Sequence, residues 1–226
     1  NGLAKVYATT FDDGSHDNCQ LADMEARRVG DNCRVDNTYN VFKDHVYFCC
    51  EDIKYDTDGN RIPVMVEFRV TDASGNSNTC MVEVLVEDKI APYLAVPAGT
   101  DMSCEAYYSD VAAALDNGNG AILDDMFGVA TFGDNCEAIL DYSYTYGVDQ
   151  CGEGSITRSW TVNDPSGNGP VSGSQTITIY HVSDWSISFP GDLDATCVDG
   201  ELPDFGQPTV SGDDCEMIAV SHTDTQ

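Results

Sequence analysis

The chain has 226 residues, with 10 lysines and arginines against 39 aspartates and glutamates, a formal charge of −29. A surface of that sign repels nucleic acid and anionic membrane and attracts cations, so nucleic acid is not an expected partner. No stretch of about eighteen apolar residues is present to form a membrane span, and the length suits about two domains.

Taken in order, residues 3–10 read as a strand entering the acidic loop Asp12-Asp13-Gly14-Ser15. Residues 21–29 (LADMEARRV) have helix propensity, but sandwich-like spacing and a cysteine on each side favour a strand. Residues 41–50 (VFKDHVYFCC) are strand-like, and Asp58-Gly59 marks a reversal. Residues 64–88 carry the plainest pattern of the chain. Val64, Val66, Phe68 and Val70 alternate with Met65, Glu67, Arg69 and Thr71; after Asp72-Ala-Ser-Gly-Asn76, Cys80, Val82, Val84 and Val86 resume the apolar face. Period-two alternation of this kind predicts a hairpin of two half-buried strands, with positive φ at Gly75-Asn76.

Beyond it, residues 93–96 and 101–104 predict short strands. Residues 111–115 (VAAAL) fit either a helical turn or a strand, and residues 116–120 an irregular loop. Residues 139–146 (ILDYSYTY) alternate as a strand. Residues 155–184 repeat the hairpin: Trp160 stands where Phe68 stood, Asp164 where Asp72 stood, and Gly167-Asn168 where Gly75-Asn76 stood. Other landmarks recur. Pro97, Asp101 and Cys104 match Pro190, Asp194 and Cys197, and the loops ending at Cys19, Cys136 and Cys215 share an acidic Gly-rich approach. The repeat is about ninety residues, the size of a β-sandwich domain. The expected fold is all-β: tandem immunoglobulin-like antiparallel β-sandwiches arranged end to end. Gly2 precedes Cys19 much as Gly120 precedes Cys136, so the division reads as residues 1–88, a domain lacking its first strand, 89–183, a complete domain, and 184–226, the start of a third. The expected setting is a window on a longer array, with stiff linkers at residues 87–92 and 182–185.

Ten cysteines in a β-rich chain point to an oxidising compartment. Zinc is disfavoured, since no CxxC pair occurs and the four histidines are scattered. Cys49 and Cys50 are adjacent on one strand and face opposite ways. The expected bonds are Cys19–Cys50 and Cys33–Cys49, with the reverse pairing as the alternative, and Cys136–Cys151. Cys80 is expected to lack a partner in this stretch, and Cys197–Cys215 is an open alternative.

Residues 70–92 (VTDASGNSNTCMVEVLVEDKIAP), with FDDGSHDNC ending at Cys19 and the aromatic-Cys strand Phe48-Cys49-Cys50, resemble hyalin-repeat (HYR) and related immunoglobulin-like modules. They are similar to the tandem modules of very large surface proteins of Bacteroidota, including gliding-motility adhesins exported by the type IX system. Residues 155–164 (SITRSWTVND) resemble a segment of a sister module in the same proteins. The chain departs from that module at Ser166 and residues 175–179, where cysteines are usual. The resemblance implies an extracellular, bacterial cell-surface location and a non-enzymatic stalk or adhesin role.

Carboxylates concentrate in loops and linkers. Asp72, Asn76, Asp88, Asp164, Asn168 and Asp184 are candidate calcium ligands, because Ca²⁺ takes six to eight oxygens from carboxylates and carbonyls. The competing reading is that Asp and Asn are simply good turn residues. Asp12, Asp13, Asp17, Asp134, Asp213 and Asp214 extend the acidic loops. No GxSxG, HExxH, P-loop or GxGxxG motif occurs, no catalytic residue is assigned, and no cofactor besides calcium is expected. Trp160 is expected in the core and Trp185 packed at a linker. Three functions follow: a stalk segment whose partners are neighbouring repeats, a surface module binding a glycan or protein ligand, and a filament subunit that self-assembles laterally as a homo-oligomer.

Overall fold

The computed structural model describes residues 2–18, 20–30, 33, 40–182, 185–192, 206–212, 215 and 221. Strands dominate, several of them paired antiparallel, and the chain is all-β in class. It divides into two compact units. One comprises Asn1–Leu94, Phe132–Leu140 and Val162–Val171; the other comprises Ala95–Thr131, Asp141–Thr161 and Ser172–Gln226. Three segments of the second sequence repeat, residues 89–94, 132–140 and 162–171, therefore belong with the first unit.

In the first unit, β1 (Leu3–Tyr7) pairs antiparallel with β3 (His45–Cys49), Leu3 opposite Cys49 and Tyr7 opposite His45. A second antiparallel sheet runs in the order β2 (Leu21–Arg28), β4 (Val64–Asp72), β5 (Ser77–Val84). Residues 21–28 are thus a strand despite their helix propensity; pairing from Leu21↔Asp72 to Arg28↔Val66 overrides it. The pleat decides which side chains turn inward. Val46 and Phe48 of β3 and Val66 and Phe68 of β4 are buried, and with Ala8 and Ala26 they form the core. Val64, Val70, Val82, Val84 and Val86 pack against it. Each large apolar side chain buried this way contributes about 1.5–3 kcal/mol. Cys80 stands opposite Phe68 in the register yet is exposed, because β5 is the outer strand of its sheet. A buried ion pair adds a polar tie: Arg28 holds Asp52 through both guanidinium NH groups, and also donates to the Tyr47 carbonyl at 2.8 Å.

In the second unit the sheet order is β7 (Thr100–Ser103), β11 (Val171–Tyr180), β10 (Gly154–Asn163), β9 (Ile139–Val148), with β7 parallel to β11. Residues 104–116 are helical throughout: α1 (Cys104–Ala106), a π-helical turn (Tyr107–Ala112) and α2 (Ala113–Asp116), followed by α3 (Ala121–Phe127). The open choice at 111–115 therefore resolves to helix. Tyr107, Val111 and Leu115 recur every four residues and are buried with Leu123 against Met102, Ile156, Ile177 and Ile179. Ser103 caps the start, its hydroxyl accepting from the Ala106 N–H at 3.3 Å. Trp160 is buried, and beside it lies Arg158, which is fully buried. Arg158 donates to the Gln175 amide oxygen at 2.8 Å, the Gly128 carbonyl at 2.9 Å, the Tyr142 hydroxyl at 3.2 Å and the Asp124 carboxylate. Its guanidinium also lies 4.6 Å from the Trp160 ring centroid. Trp185, by contrast, is exposed. Short pairs join β6 (Tyr93–Ala95) with β8 (Thr131–Gly133), and β12 (Ser186–Ser188) with β13 (Thr209–Ser211).

Among the described residues three disulfides are formed, Cys33–Cys49, Cys50–Cys136 and Cys104–Cys215, the last in place of the alternative Cys197–Cys215. Two of the pairings expected from spacing are replaced. Cys50 bonds Cys136, 86 residues away, rather than Cys19, and Cys136 therefore does not bond Cys151, which is free and exposed. The physical reason is tertiary. The loop carrying Cys136 belongs to the first compact unit, where it meets the end of β3, whereas Cys151 occupies a turn of the second. Cys19 and Cys197 lie outside the described residues.

Candidate metal centre

One local structure recurs four times. Asp56, Asp72, Asp149 and Asp164 each open a five-residue turn with glycine in fourth place. In each, the aspartate carboxylate accepts the backbone N–H groups of the third and fifth residues; for Asp72 these are Ser74 and Asn76, both at 2.8 Å. The Asn76 side chain adds a third bond at 2.8 Å. The glycine N–H returns to the aspartate carbonyl, and φ is +88° at Gly75 and +90° at Gly167. Glycine alone takes the positive φ; Asn76 and Asn168, expected to share it, do not. Side-chain and backbone hydrogen bonds from Asn76 hold the Asp72 carboxyl below the ordinary range, and the same bonds from Asn60 do so for Asp56. These carboxylates are engaged by their own turns. Asp72 and Asn76 thus fit the turn reading, on an exposed loop.

Asp164 differs in its surroundings. The turn it opens connects β10 to β11, and the residue is buried. Burial pushes its carboxyl up, but bonds from Ser166 at 2.6 Å and from the Asn168 side chain at 2.6 Å outweigh that and hold it low. Two further carboxylates converge on it. Asp88 lies in the segment following β5, and Asp134 directly after β8. Oxygens of Asp88, Asp134 and Asp164 all lie within 4.8 Å of one another. Asp88 is 4% exposed and Asp164 7%. The Asp88 Oδ1 accepts from the Ile90 N–H at 3.0 Å and from the Asn135 side chain at 3.1 Å, while Asn168 Nδ2 donates to the Asp88 carbonyl at 3.1 Å. The Cys50–Cys136 bond anchors the loop that presents Asp134 and Asn135.

The remaining oxygens have no donor. Asp88 Oδ2, both carboxylate oxygens of Asp134 and Asn135 Oδ1 are buried without a hydrogen-bond partner. No lysine or arginine is paired with any of the three aspartates among the described residues. At this separation and an effective dielectric of 20, each carboxylate pair repels by about 3 kcal/mol. Three clustered carboxylates, two of them with unpaired oxygens, form a negative, all-oxygen cluster, suited to a hard cation and unsuited to an anion or a thiolate-seeking metal.

Of the residues singled out by sequence, the structure brings Asp88, Asp164 and Asn168 together and leaves Asp72 and Asn76 in their own turn; Asp184 lies outside the described residues. Sequence reasoning noted Asp134 among acidic loops without assigning it as a ligand, and it passed over Asn135. The available signal was their place in the recurring landmark that ends at Cys136. Two other groupings of potential ligands are structural: Cys33 and Cys49 are bonded beside Asp52, which Arg28 neutralises, and Cys104, near Glu105 and His181, is bonded to Cys215.

No family model matches the chain, and no curated protein matches it. Among solved structures, it is similar to a protocadherin gammaB7 EC3-6 cis-dimer structure at 14% identity and a TM-score of 0.25. That similarity covers 75% of this chain and 43% of the protocadherin chain, so the chain spans under half of that protein's length.

Proposed function

We propose that this chain is a structural repeat segment of a long extracellular adhesin stalk or surface filament, non-enzymatic, of the kind carried by large bacterial cell-surface proteins. The observation that carries the reading is the repeated hairpin: β4–β5 and β10–β11 are closed by the same aspartate turn, while Val66 and Phe68 of the one pack in a different core from Ile156 and Ile177 of the other. Duplicated strand pairs on separate cores are what an extensible array requires, since each module adds length without needing a new interface design. The three disulfides among the described residues support an oxidising, extracellular setting. Neighbouring repeats of the same chain are the first expected partners, and the acidic surface keeps such an array soluble.

The test is surface exposure combined with stretching. Protease shaving of intact source cells should release peptides of this chain. Single-molecule extension should give contour-length increments that are short with disulfides intact and lengthen on reduction. Recovery of the chain only from the interior of lysed cells would refute the assignment.

A second reading, a glycan-binding surface, draws on one specific feature. Tyr142, Tyr144 and Tyr146 line one face of the edge strand β9, with successive ring centroids 6.1 and 6.3 Å apart. A row of half-exposed rings is a surface on which sugars stack. A glycan array comparing the wild type with Tyr142→Ala and Tyr146→Ala decides this: loss of a bound glycan in both variants favours it, and no bound glycan in the wild type removes it.

A further inference from the structure

We infer that Asp88, Asp134 and Asp164 hold one calcium ion, with the Asn135 amide oxygen as a further donor. The inference goes beyond the stalk reading and rests only on the geometry of the first compact unit. Acidic residues crowd many surfaces without binding anything, and the aspartate turns at Asp56 and Asp72 illustrate this. The cluster around Asp88 differs in two respects.

Asp88 and Asp164 are buried and Asp134 half-buried, and carboxylate oxygens of Asp88 and Asp134 are shielded from solvent without a donor. Asp88 is 96% buried and its Oδ2 has no donor, although the same carboxylate uses Oδ1 for two hydrogen bonds. A carboxylate held in place by one oxygen and bare at the other is oriented, not merely present. Both oxygens of Asp134 are likewise bare, which permits bidentate ligation. Asp164 Oδ2 accepts two bonds from Asn168 within the turn, whereas Oδ1 accepts the Ser166 N–H and is the oxygen left to face an ion. Asn135 turns its NH₂ toward Asp88, and its Oδ1 is left buried without a donor. Burying unpaired anionic oxygens is strongly unfavourable unless a cation compensates them.

The donor set selects the cation. Every ligand is oxygen, and the neighbouring Cys136 thiol is consumed in a disulfide, which disfavours zinc and copper. The oxygens come from three separate segments, an irregular arrangement that Ca²⁺ accepts with six to eight ligands. Mg²⁺ demands a near-ideal octahedron and keeps most of its water. Backbone carbonyls and water complete the calcium shell. The ion would tie the segment after β5, the loop after β8 and the turn after β10 to one point. Lys89, adjacent to Asp88, has a side chain 70% exposed, so the state of that segment can be read by trypsin.

The experiment uses the whole chain, with disulfides intact, stripped by chelator and titrated with calcium chloride in physiological salt by calorimetry. The expected result is saturable binding of one ion, with a dissociation constant between about 10⁻⁶ and 10⁻³ M. The melting temperature should rise with calcium to a plateau, and tryptic cleavage after Lys89 should slow. Asp134→Asn should weaken binding roughly tenfold or more with the far-ultraviolet circular dichroism unchanged. Asp88→Asn is a second variant should the first misfold, and Asp72→Asn, in the exposed turn, should bind as the wild type does. Equal melting temperatures in chelator and in millimolar calcium would overturn the site. So would equal losses in Asp134→Asn and Asp72→Asn, which would indicate diffuse attraction to an acidic surface. Magnesium chloride matching calcium in heat and in melting shift would overturn the choice of ion.

Discussion

The Asp72 carboxylate does the work of several backbone groups at once, and its effect on stability depends on charge. Its folded pKa lies below the ordinary value of 3.8 because Asn76 and the turn amides bond the ionised form. A group with a depressed folded pKa contributes stability above the unfolded value and loses it as pH falls through the folded one. The melting-temperature gap between wild type and Asp72→Ala should therefore be full at neutral pH and close progressively below pH 3.8. Measuring the gap, rather than either protein alone, cancels the general relief of repulsion as the acidic surface is protonated. A gap that widened on acidification would contradict the hydrogen-bond account. Arg158 is a different case. Arg158→Met leaves the Gln175 amide oxygen without that donor in a buried setting, whereas the Gly128 carbonyl belongs to an exposed residue and can turn to water. At about 1–3 kcal/mol for a buried group left unsatisfied, a loss of about 2 kcal/mol is expected in denaturant unfolding. The pair with Asp124 adds little to that figure, because the Asp124 side chain is 43% exposed.

At the scale of elements, the two hairpins were legible because their information is local. Alternation in residues 64–72 names the core face, and the turn residues name the reversal. The same locality explains what stayed hidden. Residues 104–116 do carry helical spacing in Tyr107, Val111 and Leu115, but the alanines between them suit a short strand equally well, and the arbitrating contact is with Ile156 and Ile177, far along the chain. Residues 121–127 are bracketed by glycines that read as loop. The partnership of Cys50 and Cys136 is set by which loop reaches the end of β3, something spacing does not encode. For the candidate site, sequence could nominate Asp88 and Asp164 as loop acids, but not their convergence with Asp134. A direct check on the hairpin is the contrast between Phe68 and Cys80, which face each other across β4 and β5. Phe68→Ala should cost about 3–5 kcal/mol, whereas Cys80→Ser, at an exposed position, should stay within about 0.5 kcal/mol.

At the scale of the whole chain, covalent links reach across long stretches of sequence. Cys50–Cys136 closes a loop of 86 residues, worth about 4–5 kcal/mol in the chain-entropy description, against about 3 kcal/mol for the 16-residue Cys33–Cys49 loop. Cys136→Ser should therefore destabilise markedly in denaturant melts, while Cys151→Ser, at a free exposed thiol, should be close to neutral. Peptide mapping without reduction provides the complementary check: a Cys50–Cys136 crosslink is expected, and a Cys136–Cys151 crosslink would refute the structure at this point.

The aspartate-closed turn also bears on the order in which the chain folds. Five consecutive residues supply every hydrogen bond it needs, so its formation waits on no distant partner. A nascent chain could set the β4–β5 register as soon as residue 84 has emerged, long before Cys136 is synthesised. Early local pairing of this sort shortens the interval during which a long row of valines is exposed to neighbouring unfinished chains. In an array of many similar modules, where identical strands from adjacent repeats are the nearest wrong partners, a turn that commits each strand to its own neighbour guards against swapped assembly.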